Sequence, residues 1–171
     1  MGGSSLFESI KKALSGGSAQ GSSGEGIGGR HPNALQIAAC VVLLEVAHAD
    51  DTFTEEERLQ ISRFFEEGAH LSKDTTEELL LLAEQARQKA IELWEFTRLI
   101  AENFSLEEKI GLVETMWKII YLDGKLDMRE DYLIHKLSPL LGLRHSELIE
   151  AKLRVLQSKE KTIPQPPEAS G

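Results

Sequence analysis

Five acidic residues, Asp50, Asp51, Glu55, Glu56 and Glu57, fall within eight consecutive positions, and a related set, Asp123, Asp127 and Glu130, recurs 73 residues further on. Carboxylates and helix-end carbonyls are hard oxygen donors, the ligands that Ca²⁺, Mg²⁺ and Mn²⁺ prefer. The placement also breaks a local rule. Acids that follow a helix face its partial negative charge, at a cost of about 0.3–1 kcal/mol each when exposed. Asp50 and Asp51 close one apolar helix and Asp123 closes another. Should the two turns face each other, Asp50, Glu57, Asp123 and Glu130 converge, with Asp51 and Asp127 beside them. A divalent cation (Ca²⁺, Mg²⁺ or Mn²⁺) would then offset their mutual repulsion.

Plain turn chemistry competes with that reading. Asp in a turn bonds its own downstream backbone. Gly124 is the expected left-handed helix stop, and Asp51 is a tolerated substitute for it. Glu57 and Glu130 already have work as capping acids. An EF-hand is excluded by spacing: counted from Asp123, its third and twelfth ligand positions are Lys125 and Ile134, and counted from Asp50 they are Thr52 and Ile61.

Other reactive side chains carry weaker signals. His48 and His135 lie near the acids, but a half-buried histidine and an i,i+4 partner of Asp131 are simpler roles for them. Cys40 reads as a small core hydrophobe. Trp94, Phe96, Trp117 and Tyr121 read as packing residues, and Arg98 as an ion-pair anchor. The chain has no P-loop, G-x-G-x-x-G, G-x-S-x-G or H-E-x-x-H sequence, so no enzyme is expected.

The elements that must position the acids are all helical. Strand-type alternation is absent, and Leu, Glu, Ala, Lys and Arg dominate. A first helix starts near Pro32, with a face of Leu35, Ala38, Ala39, Val42, Leu43, Val46 and Ala49. A second opens at a Thr54/Glu57 capping box, in which hydroxyl and carboxylate satisfy each other's free amides. Its face is Leu59, Ile61, Phe64, Phe65 and Ala69. A third covers 75–89, and a fourth follows a break at 91–93 and ends at Asn103. Capping boxes at Ser105/Glu108 and Asp127/Glu130 open the fifth and sixth, and Gly142 stops the sixth near Leu141. A seventh runs from His145 to Gln157. Residues 47–61 and 120–134 align without a gap: Asp50 meets Asp123, Asp51 meets Gly124, Phe53 meets Leu126, Thr54 meets Asp127, and Glu57 meets Glu130. Each copy is an apolar helix, an acidic turn, one apolar plug and a capped second helix. The expected fold is all-α, about seven helices in two pseudo-symmetric hairpin units around one core.

Composition sets the outer bounds. The 171 residues carry 19 Lys and Arg against 28 Asp and Glu, a net charge of −9 that repels phosphate and argues against nucleic acid. A single cysteine rules out an intramolecular disulfide framework. With neither a signal peptide nor a membrane span recognisable, a cytoplasmic protein is expected. Residues 1–14 form a short amphipathic segment, with Leu6, Phe7, Ile10 and Leu14 on one side and Lys11 and Lys12 opposite. That segment could touch a membrane or a partner surface. Residues 15–31 are a Gly/Ser-rich linker, 32–158 the helical domain, and 159–171 a Pro-rich tail expected to be disordered.

The first turn, VAHADDTFTEEE, is similar to the alanine-aspartate-glycine turn and acid-rich helix start of the tellurite-resistance TerB family. Residues 91–143, with a Phe-Thr-Arg segment, a Val-Glu-x-x-Trp segment and an Asp-Gly turn followed by Glu-Asp, resemble a TerB-like bacterial branch. The resemblance covers about residues 32–157. It implies an all-α fold of two related units, an acidic site for divalent cations at Asp50, Glu57, Asp123 and Glu130, and an adaptor or scaffold role in stress response. This sequence departs from the family in carrying Asp51 where glycine is usual, which adds a charge to the turn. The alternative expectation is a metal-free interaction module that recruits a basic protein partner through its acidic face.

Overall fold

The computed structural model describes residues 32–122, 124 and 126–162. The amphipathic N-terminal segment, the Gly/Ser-rich linker and Asp123 lie outside them. Among the described residues are seven helices and no strand: α1 (Ala34–Ala47), α2 (Glu55–Gly68), α3 (Lys73–Lys89), α4 (Trp94–Asn103), α5 (Leu106–Ile120), α6 (Met128–Leu140) and α7 (His145–Thr162). No helix among them is long and apolar enough to cross a membrane.

The three expected capping boxes are all present, at Thr54/Glu57, Ser105/Glu108 and Asp127/Glu130. A fourth, Asn33/Gln36, opens α1, so Pro32 precedes the cap instead of occupying the first helical turn. Ser72 caps α3 and starts it two residues before the expected position. Gly142, at φ +86°, ends α6 as expected.

Helix α1 is the centre of the molecule. The expected one-sided apolar face is corrected: Ile37 through Leu44 are buried without interruption, while Leu35 and Ala49, at the edges of the expected face, are only half-buried. A helix that is apolar all round must be surrounded, and α1 touches α2, α3, α4, α5 and α6. Its one charged residue, Glu45, lies 3.3 Å from the guanidinium of Arg87, which also holds Glu84 at 2.9 Å. Around this axis α5 packs on α7, α2 on α3 and α5, and α4 on α6. Trp117 on α5 is fully buried, and its indole Nε1 donates to the Leu148 carbonyl on α7 at 3.1 Å.

Further expectations are corrected by packing. Leu59 on α2 and Ala69 just after it are exposed, because that helix covers the core with one narrow stripe through Ile61 and Phe65. Trp94 is exposed, its ring under the Arg98 guanidinium, while Arg98 forms the expected ion pair with Glu102 at 2.8 Å. The seventh helix continues to Thr162, so 159–162, expected to belong to a disordered tail, are helical. Cys40 is buried as expected, and burial pushes its thiol pKa far up, which leaves it unreactive.

Gly111 sits within α5, where an added Cβ would meet nothing within 4 Å. Glycine lowers helix stability relative to alanine, so Gly111→Ala is expected to stabilise the domain by about 0.5–1 kcal/mol. A higher midpoint in urea with an unchanged slope would show it.

Candidate functional site

The two turns share their backbone hydrogen bonds. The amide of Ala49 donates to Val46 at 3.2 Å and that of Asp51 to His48 at 3.1 Å; Leu122 donates to Ile119 at 3.2 Å and Gly124 to Tyr121 at 3.1 Å. Asp51 (φ +65°) and Gly124 (φ +76°) both leave the helix through a left-handed residue. The glycine does so without steric cost, and aspartate is among the few side chains that tolerate it. Each chain then extends to an N-cap, Thr54 or Asp127, which opens the next helix.

Capping turns two acids inward. Glu57, 6% exposed, accepts from the Thr54 amide through Oε2 at 2.8 Å; Glu130, 3% exposed, accepts from the Asp127 amide at 3.4 Å. Both lie in the first turn of a helix, where the partial positive charge of the terminus offsets part of their desolvation. Asp50 accepts from the amide of Thr52 at 3.0 Å and from its hydroxyl at 2.8 Å, the downstream bonding expected of a turn aspartate. Its other bearing is toward the two glutamates. Asp50, Glu57 and Glu130 each present a carboxylate oxygen within 4.8 Å of the others. The pKa of Glu57 is raised, first by burial and then by the charge of Asp50, against the lowering effects of the Thr54 hydrogen bonds and of His48.

The remaining acids separate into two groups. Asp51 and Asp127 turn to Arg129, whose Nη1 lies 2.8 Å from Asp51 and whose Nε lies 3.5 Å from Asp127. Arg129 thus ties the second turn to the first, so the two corners face each other. Asp123 lies outside the described residues. Glu55 and Glu56 are exposed on α2. Sequence reasoning did not single out Arg129; the available signal was a basic residue aligned with Glu56, a charge reversal between otherwise matching turns.

The apolar plugs do not plug. Phe53 is 38% and Leu126 41% exposed. Phe53 stacks on the His48 ring, with centroids 4.6 Å apart, and His48 Nδ1 lies 2.8 Å from the Leu44 carbonyl. His135 sits 3.5 Å from the Asp131 carboxylate, the i,i+4 arrangement expected for it. Chemically, the three converging carboxylates offer oxygen donors alone, the ligand type that hard cations take.

No curated protein and no solved structure matches the chain. A family model described as tellurite resistance protein TerB matches residues 36–153, from the first turn of α1 into the middle of α7, including both turns and every acid named above. The protein is a member of the TerB family.

Proposed function

We propose that the domain is a non-catalytic adaptor of metal or tellurite stress response, whose facing turns hold one divalent cation. The observation that carries this reading is the approach of Asp50, Glu57 and Glu130 to within 4.8 Å of one another, two of them buried. Asp123, the counterpart of Asp50 in the repeat, is the fourth carboxylate in the proposal. Oxygens up to 4.8 Å apart can lie on opposite sides of an ion bound at about 2.4 Å, which is the Ca²⁺–oxygen distance. Mg²⁺, at about 2.0–2.1 Å, would require the turns to close further. The capping bonds are compatible with ligation, because a carboxylate has two oxygens and a cap uses one. The duplicated turns support a further step of the proposal, that the two hairpins are copies of one unit, paired so as to assemble the site between them.

Thermal melts test the cation. Ca²⁺ at about 100 times its dissociation constant is expected to stabilise the fold by about 2.7 kcal/mol relative to chelator, with Mn²⁺ and Mg²⁺ weaker. No shift with any of the three at millimolar concentration would remove the reading.

A specific observation also favours the metal-free alternative. Asp51 and Asp127 share a guanidinium at the surface, that of Arg129, and an arginine-rich partner segment would bind there by replacing it. Such binding would weaken with salt and persist in chelator. Cation binding would do the reverse on addition of chelator.

A further inference from the structure

A second feature lies apart from the acidic turns and does not depend on them. A cavity of about 650 Å³ opens between the start of α1, the end of α2 and the first half of α5. Its floor is a row of half-buried large apolar side chains, Leu35, Phe64, Phe104 and Ile110. Gly68 and Gly111 border it with nothing within 4 Å of where a Cβ would stand, so the floor is open above them. The rim is acidic. Arg154, the one basic residue among its described lining residues, is held by Glu114 at 2.8 Å, which leaves Glu107 and Glu108 to set the sign.

We propose that this groove is the docking site of the chain's own N-terminal segment, residues 6–14. Three observations point to that occupant. The described chain begins at the mouth of the cavity, because Asn33 is one of its lining residues. The segment carries four large apolar residues at helical spacing, Leu6, Phe7, Ile10 and Leu14, to meet the apolar floor, and Lys11 falls at the edge of that stripe, where it can meet the acidic rim. The joining stretch, 17 residues from 15 to 31, is dominated by glycine and serine, a composition whose root-mean-square span at that length is about 20–25 Å. A tether of that kind supplies an effective concentration in the millimolar range, so even a weak contact is occupied. An amphipathic helix laid in an apolar groove is a recurring mode of peptide recognition.

Disulfide trapping in the full chain tests the proposal. Cysteines are placed by Ala13→Cys and Gly111→Cys; the native Cys40 is buried and serves as an unreactive background. The expected result under mild oxidation at dilute protein is an intramolecular disulfide, formed at least tenfold faster than in the same protein carrying Phe7→Ser and Ile10→Ser. Those changes remove the apolar stripe and leave the tether unaltered. Equal rates in the two proteins would reduce the contact to random collision and overturn the proposal. A disulfide-linked dimer as the main product would overturn it in favour of a second copy's segment. Absence of any disulfide, with both thiols shown reactive, would give the groove to a partner peptide or lipid and overturn it as well.

Discussion

Trp117→Ala is expected to lower stability by about 3–5 kcal/mol, the range for truncating a fully buried large aromatic, and to lower Tm by roughly 10–20 °C for a domain of this size. Several contacts are lost together. The indole is fully buried in the core and donates to the Leu148 carbonyl at 3.1 Å across the α5–α7 interface. The Tyr121 ring stacks beside it at 6.0 Å, His135 meets it edge-on at 6.2 Å, and the Lys152 ammonium lies 5.1 Å from its centroid. Those neighbours belong to the turn after α5, to α6 and to α7. The cavity would therefore loosen every element that holds the second acidic turn in place. Trp117→Phe keeps most of the apolar volume and loses the donor, so it should cost about 1–2 kcal/mol, a hydrogen bond plus a partial void. Urea unfolding separates the outcomes. Equal losses for the two variants would place the energy in the hydrogen bond, and a loss below about 1 kcal/mol for Ala would mean that the core refills the space.

Much of this arrangement was legible in the chain because local rules wrote it. Three capping boxes and the stop at Gly142 depend on residues three or four apart, and each lies where spacing placed it. The 73-residue alignment carried down to backbone geometry, since Asp51 and Gly124 share a positive φ. What was not legible depends on distant partners. The apolar run of α1 contains an amphipathic stripe as a subset, and only the arrival of five other helices shows that every side is covered. Phe53 looks like a core residue by type, yet it lies over His48 near the surface. Arg129 reaches Asp51 across 78 residues of sequence, a pairing that no local pattern encodes. The candidate site divided along the same line. Glu57 and Glu130 were placed by their caps, whereas the departure of Asp51 and Asp127 toward Arg129 followed from how the turns meet.

Glu57→Gln is expected to change the sign of its effect when a cation is added. In chelator the variant should be at least as stable as the unmodified protein at pH 7. The folded state raises the pKa of Glu57 above its ordinary value near 4.5, chiefly through burial and then through Asp50, so the fold binds that proton more tightly than the unfolded chain does. Stability from this group is therefore fully present below about pH 4.5 and is lost as pH rises through the higher folded value. Glutamine removes the penalty that remains at pH 7 and keeps an amide oxygen to accept from the Thr54 amide, so the capping box survives. The advantage of the variant should shrink as pH falls toward 4.5, because the unmodified carboxyl takes up its proton there. With Ca²⁺ the order inverts. A bound ion favours the charged carboxylate, so the unmodified protein gains the cation's stabilisation while the variant, short of one ligand, binds at least tenfold more weakly and gains less. Melts of both proteins at pH 7 and pH 5, each with chelator and with Ca²⁺, give the four comparisons. If the two proteins respond equally to Ca²⁺, Glu57 is no ligand. If the variant is the less stable in chelator at pH 7, the crowded carboxylates are a stabilising network in their own right, and a cation is not needed to account for them.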